Sequence, residues 1–188
     1  MAGLSRRELF KRLVPDPRRV LAEDAEKRRE VINRPERRPP GAVTEPLFLQ
    51  RCTRCGDCVT ACPHAAIYTF TEAAGVKAET PVMAPDRAAC HLCEGFPCAA
   101  ACAEAALMMP ETPAWPLGTV RIATERCIAF QGPECGACVG LCPSSVVGIR
   151  LTRWRPEVIT DACVGCGLCI EACPVMPRAI ELLPLALP

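Results

Sequence analysis

Large aromatic side chains are scarce in this chain: five phenylalanines, two tryptophans and one tyrosine among 188 residues. That scarcity excludes a conventional core of interlocked bulky residues. Half the residues are hydrophobic, but that half leans on alanine and cysteine. Histidine is nearly absent, with only His64 and His91, so a histidine-built catalytic centre has little to draw on. There is no G-x-S-x-G elbow, phosphate-binding loop or dinucleotide fingerprint, and nothing points to hydrolytic chemistry. Long apolar runs are missing too. The longest uncharged stretch, residues 135–149, is shorter than the ~18 residues a membrane-crossing helix needs.

Cysteine, by contrast, is abundant. Sixteen cysteines in a secreted chain would read as a disulfide framework. Here they fall into four sets of four, which is the arithmetic of ligands. The first set opens residues 52–63, C-T-R-C-G-D-C-V-T-A-C-P, with Cys52, Cys55, Cys58 and Cys62. The spacing C-x2-C-x2-C-x3-C-P is that of bacterial ferredoxins. Gaps of two residues on a curled loop let three sulfurs converge on one [4Fe-4S] cluster, while the fourth reaches a second cluster. Gly56 permits the positive φ of the turn, and Pro63 is expected to open a short helix. Structural zinc sites place two C-x2-C pairs far apart instead.

The fourth set, Cys163, Cys166, Cys169 and Cys173, repeats this spacing and its proline, with Gly165 and Gly167 in the loop. The second, Cys90, Cys93, Cys98 and Cys102, widens the middle gap to four residues. The third, Cys127, Cys135, Cys138 and Cys142, widens the first gap to seven. A longer loop still delivers a thiolate, so all sixteen cysteines are candidate iron ligands for up to four clusters. The first cysteines of successive sets are 38, 37 and 36 residues apart, which marks an internal repeat. Two pairings are open: neighbouring sets exchange their fourth cysteines, or the two regular sets pair with each other and enclose the two modified ones. The nested arrangement is expected, because like loops suit a pseudo-symmetric pair. It would place Cys173 with Cys52, Cys55 and Cys58, and Cys62 with Cys163, Cys166 and Cys169. Cys142 would join Cys90, Cys93 and Cys98, and Cys102 would join Cys127, Cys135 and Cys138.

The fold class that follows is α+β: repeated ferredoxin-like modules of short strands and helices wrapped around clusters, preceded by an N-terminal helical extension. Strands are expected at residues 66–70, 106–109, 119–123, 146–151, 157–160 and 179–183. Residues 1–41 read as a basic extension ending in a linker, R-R-P-P-G at 37–41, and residues 42–188 as the body. Residues 1–40 carry 12 Lys/Arg and 7 Asp/Glu, a net of +5, against 10 and 14, a net of −4, in the remainder. The acids interspersed in this arm argue against nucleic acid.

Ser5 and Glu8 form a capping box and Leu4 and Leu9 a hydrophobic staple, so a helix over residues 6–13 is predicted. A charged surface helix is expected over 17–38. The letters S-R-R-E-L-F-K resemble a twin-arginine export motif with Phe10 and Leu9 exchanged, but charged residues follow at once where an apolar stretch is required. A cytoplasmic protein is therefore expected. Arg6, Arg7, Leu9 and Phe10 are either a solvent-facing helix or a docking epitope for a partner.

Other residues carry smaller expectations. His64 and His91 flank ligand cysteines but are read as packing or solvent-tipped, since each set already has four sulfurs. Arg51 and Arg54 could raise the potential of the first cluster by favouring its more negative reduced state, or simply lie at the surface. Trp115 and Trp154 are expected to shield sulfur from water.

Several segments together resemble one family: S-R-R at residues 5–7, R-P-P-G-A-V at 38–43, C-T-R-C-G-D-C at 52–58, H-L-C-E-G-F-P-C at 91–98 and C-I-A-F-Q-G at 127–132. They are similar to the NapF family, ferredoxin-type accessory proteins of the periplasmic nitrate reductase system. The widened second set is also similar to the iron–sulfur subunits of DMSO-reductase-type enzymes. The resemblance implies a cytoplasmic protein with several [4Fe-4S] clusters. It would meet the molybdenum-containing catalytic subunit before export and assist its maturation. An exported relative, NapG, has a true signal peptide, which this chain is not expected to carry. Two alternatives stay open: a ferredoxin-like wiring subunit of another redox complex, and a structural metal-binding interaction module. None of these has a substrate site of its own.

Overall fold

The computed structural model describes residues 36–69, 77–143, 146–183 and 185. All of them belong to one compact unit, Pro35–Pro188. The helices expected at 6–13 and across most of 17–38, and the candidate docking residues Arg6, Arg7, Leu9 and Phe10, lie outside the described residues.

The elements are short. In chain order they are α1 Glu45–Arg51, α2 Asp57–Thr60, β1 Ile67–Thr69, β2 Pro81–Met83, α3 Pro97–Ala100, β3 Val120–Ile122, α4 Ile128–Gln131, β4 Ile149–Thr152, β5 Arg155–Val158, α5 Leu168–Glu171 and β6 Ile180–Leu182. Strands pair in antiparallel twos: β1 with β2, β3 with β6, and β4 with β5. Registers run Ile67↔Met83, Val120↔Leu182 and Ile149↔Val158. An isolated antiparallel bridge, Ala42↔Leu107, completes the set.

These pairings divide the body into two modules of the same plan. Each opens and closes on a paired edge, Ala42 with Leu107 in the first and β3 with β6 in the second. Inside each edge come a cysteine loop, an antiparallel strand pair and a second cysteine loop. The repeat of single sets therefore resolves into a repeat of pairs of sets. Such modules are small enough to need a staple beyond side-chain packing. The first hydrophobic core gathers Phe48, Ile67, Met83, Phe96 and Leu117 around Cys58, Cys90 and Cys98. In the second module, Val120, Ile149, Ile170 and Ile180 surround Cys138 and Cys169, and Ala129 and Ala179 sit with Cys127 and Cys173.

Several expectations are corrected. The predicted strands at 66–70, 119–123 and 179–183 correspond to β1, β3 and β6. The segment 106–109 forms only the bridge at Leu107, and β2 lay where no strand was expected. The helix of the first loop is α2, inside the cysteine run and before Pro63. Pro63 therefore follows a helix end, where its lack of an N–H costs nothing. Helix α1 was not foreseen, although Glu45 and Pro46 at its start and Arg51 in its last turn are ordinary helix-boundary signals.

The largest departure is at residues 37–41. They are not a linker but part of the packed body. Pro39 and Pro40 are fully buried and Arg38 is 6% exposed. The carbonyl of Arg37 accepts from the Met83 amide (2.8 Å), and the Gly41 carbonyl from the Met108 amide (2.7 Å). A Cβ on Gly41 would lie 1.8 Å from the Met108 oxygen, so only glycine allows this approach. The Arg38 guanidinium forks onto Glu45 (2.6 and 2.9 Å), donates to Thr80 Oγ1 and the Pro81 carbonyl (2.8 Å each), and lies over the Phe48 ring at 4.6 Å. Lys77, 1% exposed, completes the network with Glu45 at 3.8 Å and Glu36 at 3.6 Å. Burial of these cations is tolerated because each faces carboxylate and carbonyl oxygens.

Removing one partner from a buried, hydrogen-bonded charge network leaves the others uncompensated, at a cost of about 3–5 kcal/mol. Arg38→Ala is expected to lower the Tm of the loaded protein by at least about 6 °C, taking roughly 2–4 °C per kcal/mol at this size. Thermal bleaching of its visible absorbance reads this directly. An unshifted transition would mean that the network contributes nothing to stability.

Candidate metal centre

Each module uses its helices in the same way. Helices α2, α3 and α5 have four residues each, and each buries the third cysteine of its set: Cys58, Cys98 and Cys169. Each is entered through a residue in the left-handed region, Gly56 (φ 84°), Phe96 (φ 38°) or Gly167 (φ 90°). The extra residues of the modified loops are absorbed locally. Glu94, Gly95, buried Phe96 and Pro97 fill the gap between Cys93 and Cys98. One turn, α4, ended by Gly132 (φ 124°), fills the gap between Cys127 and Cys135.

The sixteen sulfurs converge in four cavities. Cys52, Cys55, Cys58 and Cys102 line the first. Cys62, Cys90, Cys93 and Cys98 line the second. Cys127, Cys135, Cys138 and Cys173 line the third, and Cys142, Cys163, Cys166 and Cys169 the fourth. Every set thus contributes three cysteines to its own cavity and the fourth to its neighbour's. The nested pairing is overturned: Cys62 lies with Cys90, and Cys102 with Cys52. The physical reason is the module plan. The chain leaves Cys62, makes the β1–β2 pair and returns directly as the second loop, so the partner is the next set in sequence.

Three of the cavities are alike in size. The first is larger and extends past the sulfurs to Thr69, Glu79 and Glu104. Among the described residues, no three His, Cys, Asp or Glu side chains close around a single-ion position. Four thiols that share a cavity without closing on a single-ion position suit a cluster rather than zinc. All sixteen cysteines are free thiols, and burial raises several of them. The Cys58, Cys90 and Cys169 thiols are pushed up to about 12, and Cys98 and Cys138 to about 11, by burial first and by neighbouring thiols as well. Cys58 feels both Cys52 and Cys102, as the shared cavity requires. Holding such sulfurs as thiolates takes positive charge between them, which an iron core carries.

Backbone amides already point at several sulfurs. Ala66 donates to Cys62 Sγ (3.4 Å), Leu107 to Cys102 Sγ (3.4 Å) and Gly148 to Cys142 Sγ (3.3 Å). In each case the acceptor is the fourth cysteine of its set. The fourth set is held differently: the Arg178 guanidinium donates to the carbonyls of Ile170 and Glu171 (2.6 Å each) and Cys173 (2.8 Å). Arg178 was not singled out from sequence, although a cation just past a helix end is a recognisable cap.

The smaller expectations divide. His64 and His91 stack on each other, ring centroids 3.5 Å apart, and border the second cavity, which has its four sulfurs without them. Arg51 donates to the Ala105 carbonyl (3.1 Å). Arg54 donates to the Ala78 carbonyl (3.0 Å) and borders the first cavity. Trp115 packs against the first core. Trp154 does not shield sulfur: it is 71% exposed, in the β4–β5 turn, where both Arg153 (φ 50°) and Trp154 (φ 64°) adopt left-handed backbone.

Comparison with known proteins agrees with this geometry. Residues 120–182 match a 4Fe-4S dicluster domain and residues 48–68 a 4Fe-4S binding domain. The ferredoxin-type protein NapG of Escherichia coli is 37% identical over 164 residues, covering 80% of this chain and 71% of the relative. The methylamine utilization ferredoxin-type protein MauM of Paracoccus denitrificans is 34% identical, covering 78% of this chain and 70% of its own. The ferredoxin-type protein NapF of Escherichia coli is 32% identical, covering 78% and 85%. The resemblance to NapF therefore widens to a family in which NapF is not singled out. No solved structure matches the chain.

The shared cavities predict how ligand deletions combine. Groups that act as a unit give non-additive effects. Cys102→Ser and Cys52→Ser together are expected to lose no more iron than either alone, about a quarter of the total. Cys102→Ser with Cys90→Ser should lose about twice as much. Iron and sulfide assays on anaerobically purified variants decide this, and additive loss for the first pair would refute the pairing.

Proposed function

The chain belongs to the ferredoxin-type 4Fe-4S family of NapG, MauM and NapF, and on that premise we propose that it carries single electrons to or from a redox enzyme. All sixteen cysteines serve as ligands, four to each of up to four [4Fe-4S] clusters. The observation carrying this reading is the convergence of four free thiols in each of four cavities. A [4Fe-4S] core supplies one-electron oxidation and reduction, over a range of about −700 to +450 mV among such centres. The chain's own work is to hold the thiolates in place, exclude water with alanine, valine and isoleucine side chains, and donate amide hydrogens to sulfur. Those hydrogen bonds favour the more negative reduced state and so raise its potential.

The setting proposed from the resemblance to NapF is the cytoplasm, acting on the molybdenum-containing catalytic subunit of periplasmic nitrate reductase before its export. The similarity to NapG and MauM, at 37% and 34% identity, favours a second setting, a wiring protein within a redox enzyme's electron supply. The absence of a helix long and apolar enough to cross a membrane among the described residues is compatible with both.

The anaerobically purified protein is expected to be brown, to hold close to one iron per cysteine, and to bleach with dithionite. A colourless zinc form would leave only a structural role. Transient capture of an unexported molybdenum subunit supports the maturation setting, and stable co-purification with a membrane redox complex supports wiring. For location, residues 1–45 fused to a reporter should stay in the cytoplasm. A periplasmic reporter would overturn that part of the proposal.

A further inference from the structure

The first and fourth cysteine loops have the same spacing and nearly the same backbone, yet face different surroundings. Gly56 and Gly167 occupy the same place, between the second and third cysteines, at φ 84° and 90°. A Cβ on Gly56 would meet nothing within 4 Å, whereas one on Gly167 would lie 1.9 Å from the Pro85 carbonyl oxygen. Two residues earlier, Arg54 holds φ 63° in the first loop and Gly165 holds φ 66° in the fourth. The backbone conformation there does not require glycine, since arginine adopts it. The contact does: a Cβ on Gly165 would lie 2.6 Å from the carbonyl carbon of Gly118. The fourth loop is thus shaped to be pressed against other parts of the chain.

What it is pressed against is the stretch from Pro85 into the second loop at Cys90, and the Leu117–Gly118 backbone before β3. The Cys90 amide donates to the Cys166 carbonyl at 2.7 Å, and Leu117 to Val164 at 2.8 Å. The Ala89 amide donates to a Glu171 carboxylate oxygen at 2.7 Å. A ligand of the second cavity is therefore hydrogen-bonded to a ligand of the fourth. Within the first module the first and second cavities are tied by the exchanged Cys62 and Cys102. Within the second, the third and fourth are tied by Cys142 and Cys173.

We propose that the glycine loop of the fourth set is the joint that makes the two modules one electron path, ordered first, second, fourth, third, with the first and third cavities as its ends. This deepens the electron-carrier reading and rests on it. One electron enters at an end cavity from a one-electron donor protein and one leaves at the other end to a one-electron acceptor. No bond forms or breaks along the way. The first end is open to a partner, since Cys55 is exposed there.

The test uses the full chain, purified anaerobically and reduced stepwise with dithionite, with iron and sulfide assays beside pulsed EPR. The wild type should show one coupled group of spins spanning both modules. Gly167→Ala should keep most of its iron but split the spins into two pairs. Gly56→Ala carries the same left-handed strain without the clash, and should keep the single group. Retained coupling in Gly167→Ala, or equal loss in Gly56→Ala, would overturn the joint. Should Gly167→Ala fail to load, ligand variants decide. Cys93→Ser, in the second cavity, should isolate the first cavity's spin, whereas Cys135→Ser, at an end, should leave the other three coupled; the opposite pattern defeats the order. Full iron with two separate pairs in the wild type would sink the joint and spare the carrier reading. Iron far below one per cysteine would sink both.

Discussion

Burial of sulfurs, sharpened by their crowding, is the constraint on which the rest of this structure depends. A thiol such as Cys58 is pushed to about 12 by burial and by its neighbours, so the bare protein resists forming the thiolates it is built to present. Only a multiply charged core set between four sulfurs reverses that balance, and it does so only if the sulfurs arrive together. The four-residue helices, the left-handed entries at Gly56, Phe96 and Gly167, and the two-stranded pairs all serve this convergence. None would be stable alone: isolated helices so short are far below the length at which helix formation is favourable in water. The scarcity of aromatics follows, because cysteine and its cluster occupy the positions that large side chains fill in an ordinary small domain.

Charge is managed one layer further out. Each [4Fe-4S] cluster with its four thiolates carries a net charge of about −2 in its oxidised form, in a stretch of chain already acidic. Amides of Ala66, Leu107 and Gly148 answer it at the exchanged cysteines. Arg178 instead neutralises the carbonyl end of α5 beside Cys173. Behind the first cavity, Arg38 lies over Phe48, itself part of the cavity wall. Its network with Glu45, Lys77 and Glu36 balances two cations with two carboxylates, so it anchors the residues before α1 without adding net charge near the cluster. A neutral anchor does not favour one oxidation state over the other.

What was legible in the sequence follows from how local each signal is. Ligand spacing is local, so the sixteen cysteines that line the four cavities stood out, and so did the strands at 67–69, 120–122 and 180–182, whose apolar residues alternate or run together. Pairing of sets is not local. It depends on where β1 and β2 return the chain, and β2 is three residues, Pro81–Met83, opening on a proline that argues against a strand. With β2 missed, similarity between loops was the remaining guide, and it favoured the wrong partners. The burial of 37–41 was hidden for a related reason. R-R-P-P-G has the composition of a linker, and apart from Glu45 the acceptors that make its arginines burial-competent, Thr80, Pro81 and Leu117, lie more than forty residues away.

The two glycines of the fourth loop show how far a repeated motif can be read once its surroundings are known. A ferredoxin loop needs one residue that tolerates left-handed backbone before its third cysteine, and glycine there is uninformative, since both regular sets have it. Before the second cysteine the sets differ, Arg54 against Gly165, at almost the same φ. Local geometry therefore explains neither choice. Arginine suits a loop whose side chain can run out to the Ala78 carbonyl, and glycine suits a loop whose backbone must touch another backbone. The difference between two otherwise matching motifs thus separates a loop that faces outward from one that joins modules. The same backbone contacts that bury the fourth loop set a ligand of its cavity, Cys166, against a ligand of the second, Cys90. Packing demands close approach without an intervening side chain at that joint, and glycine is the one residue that meets it.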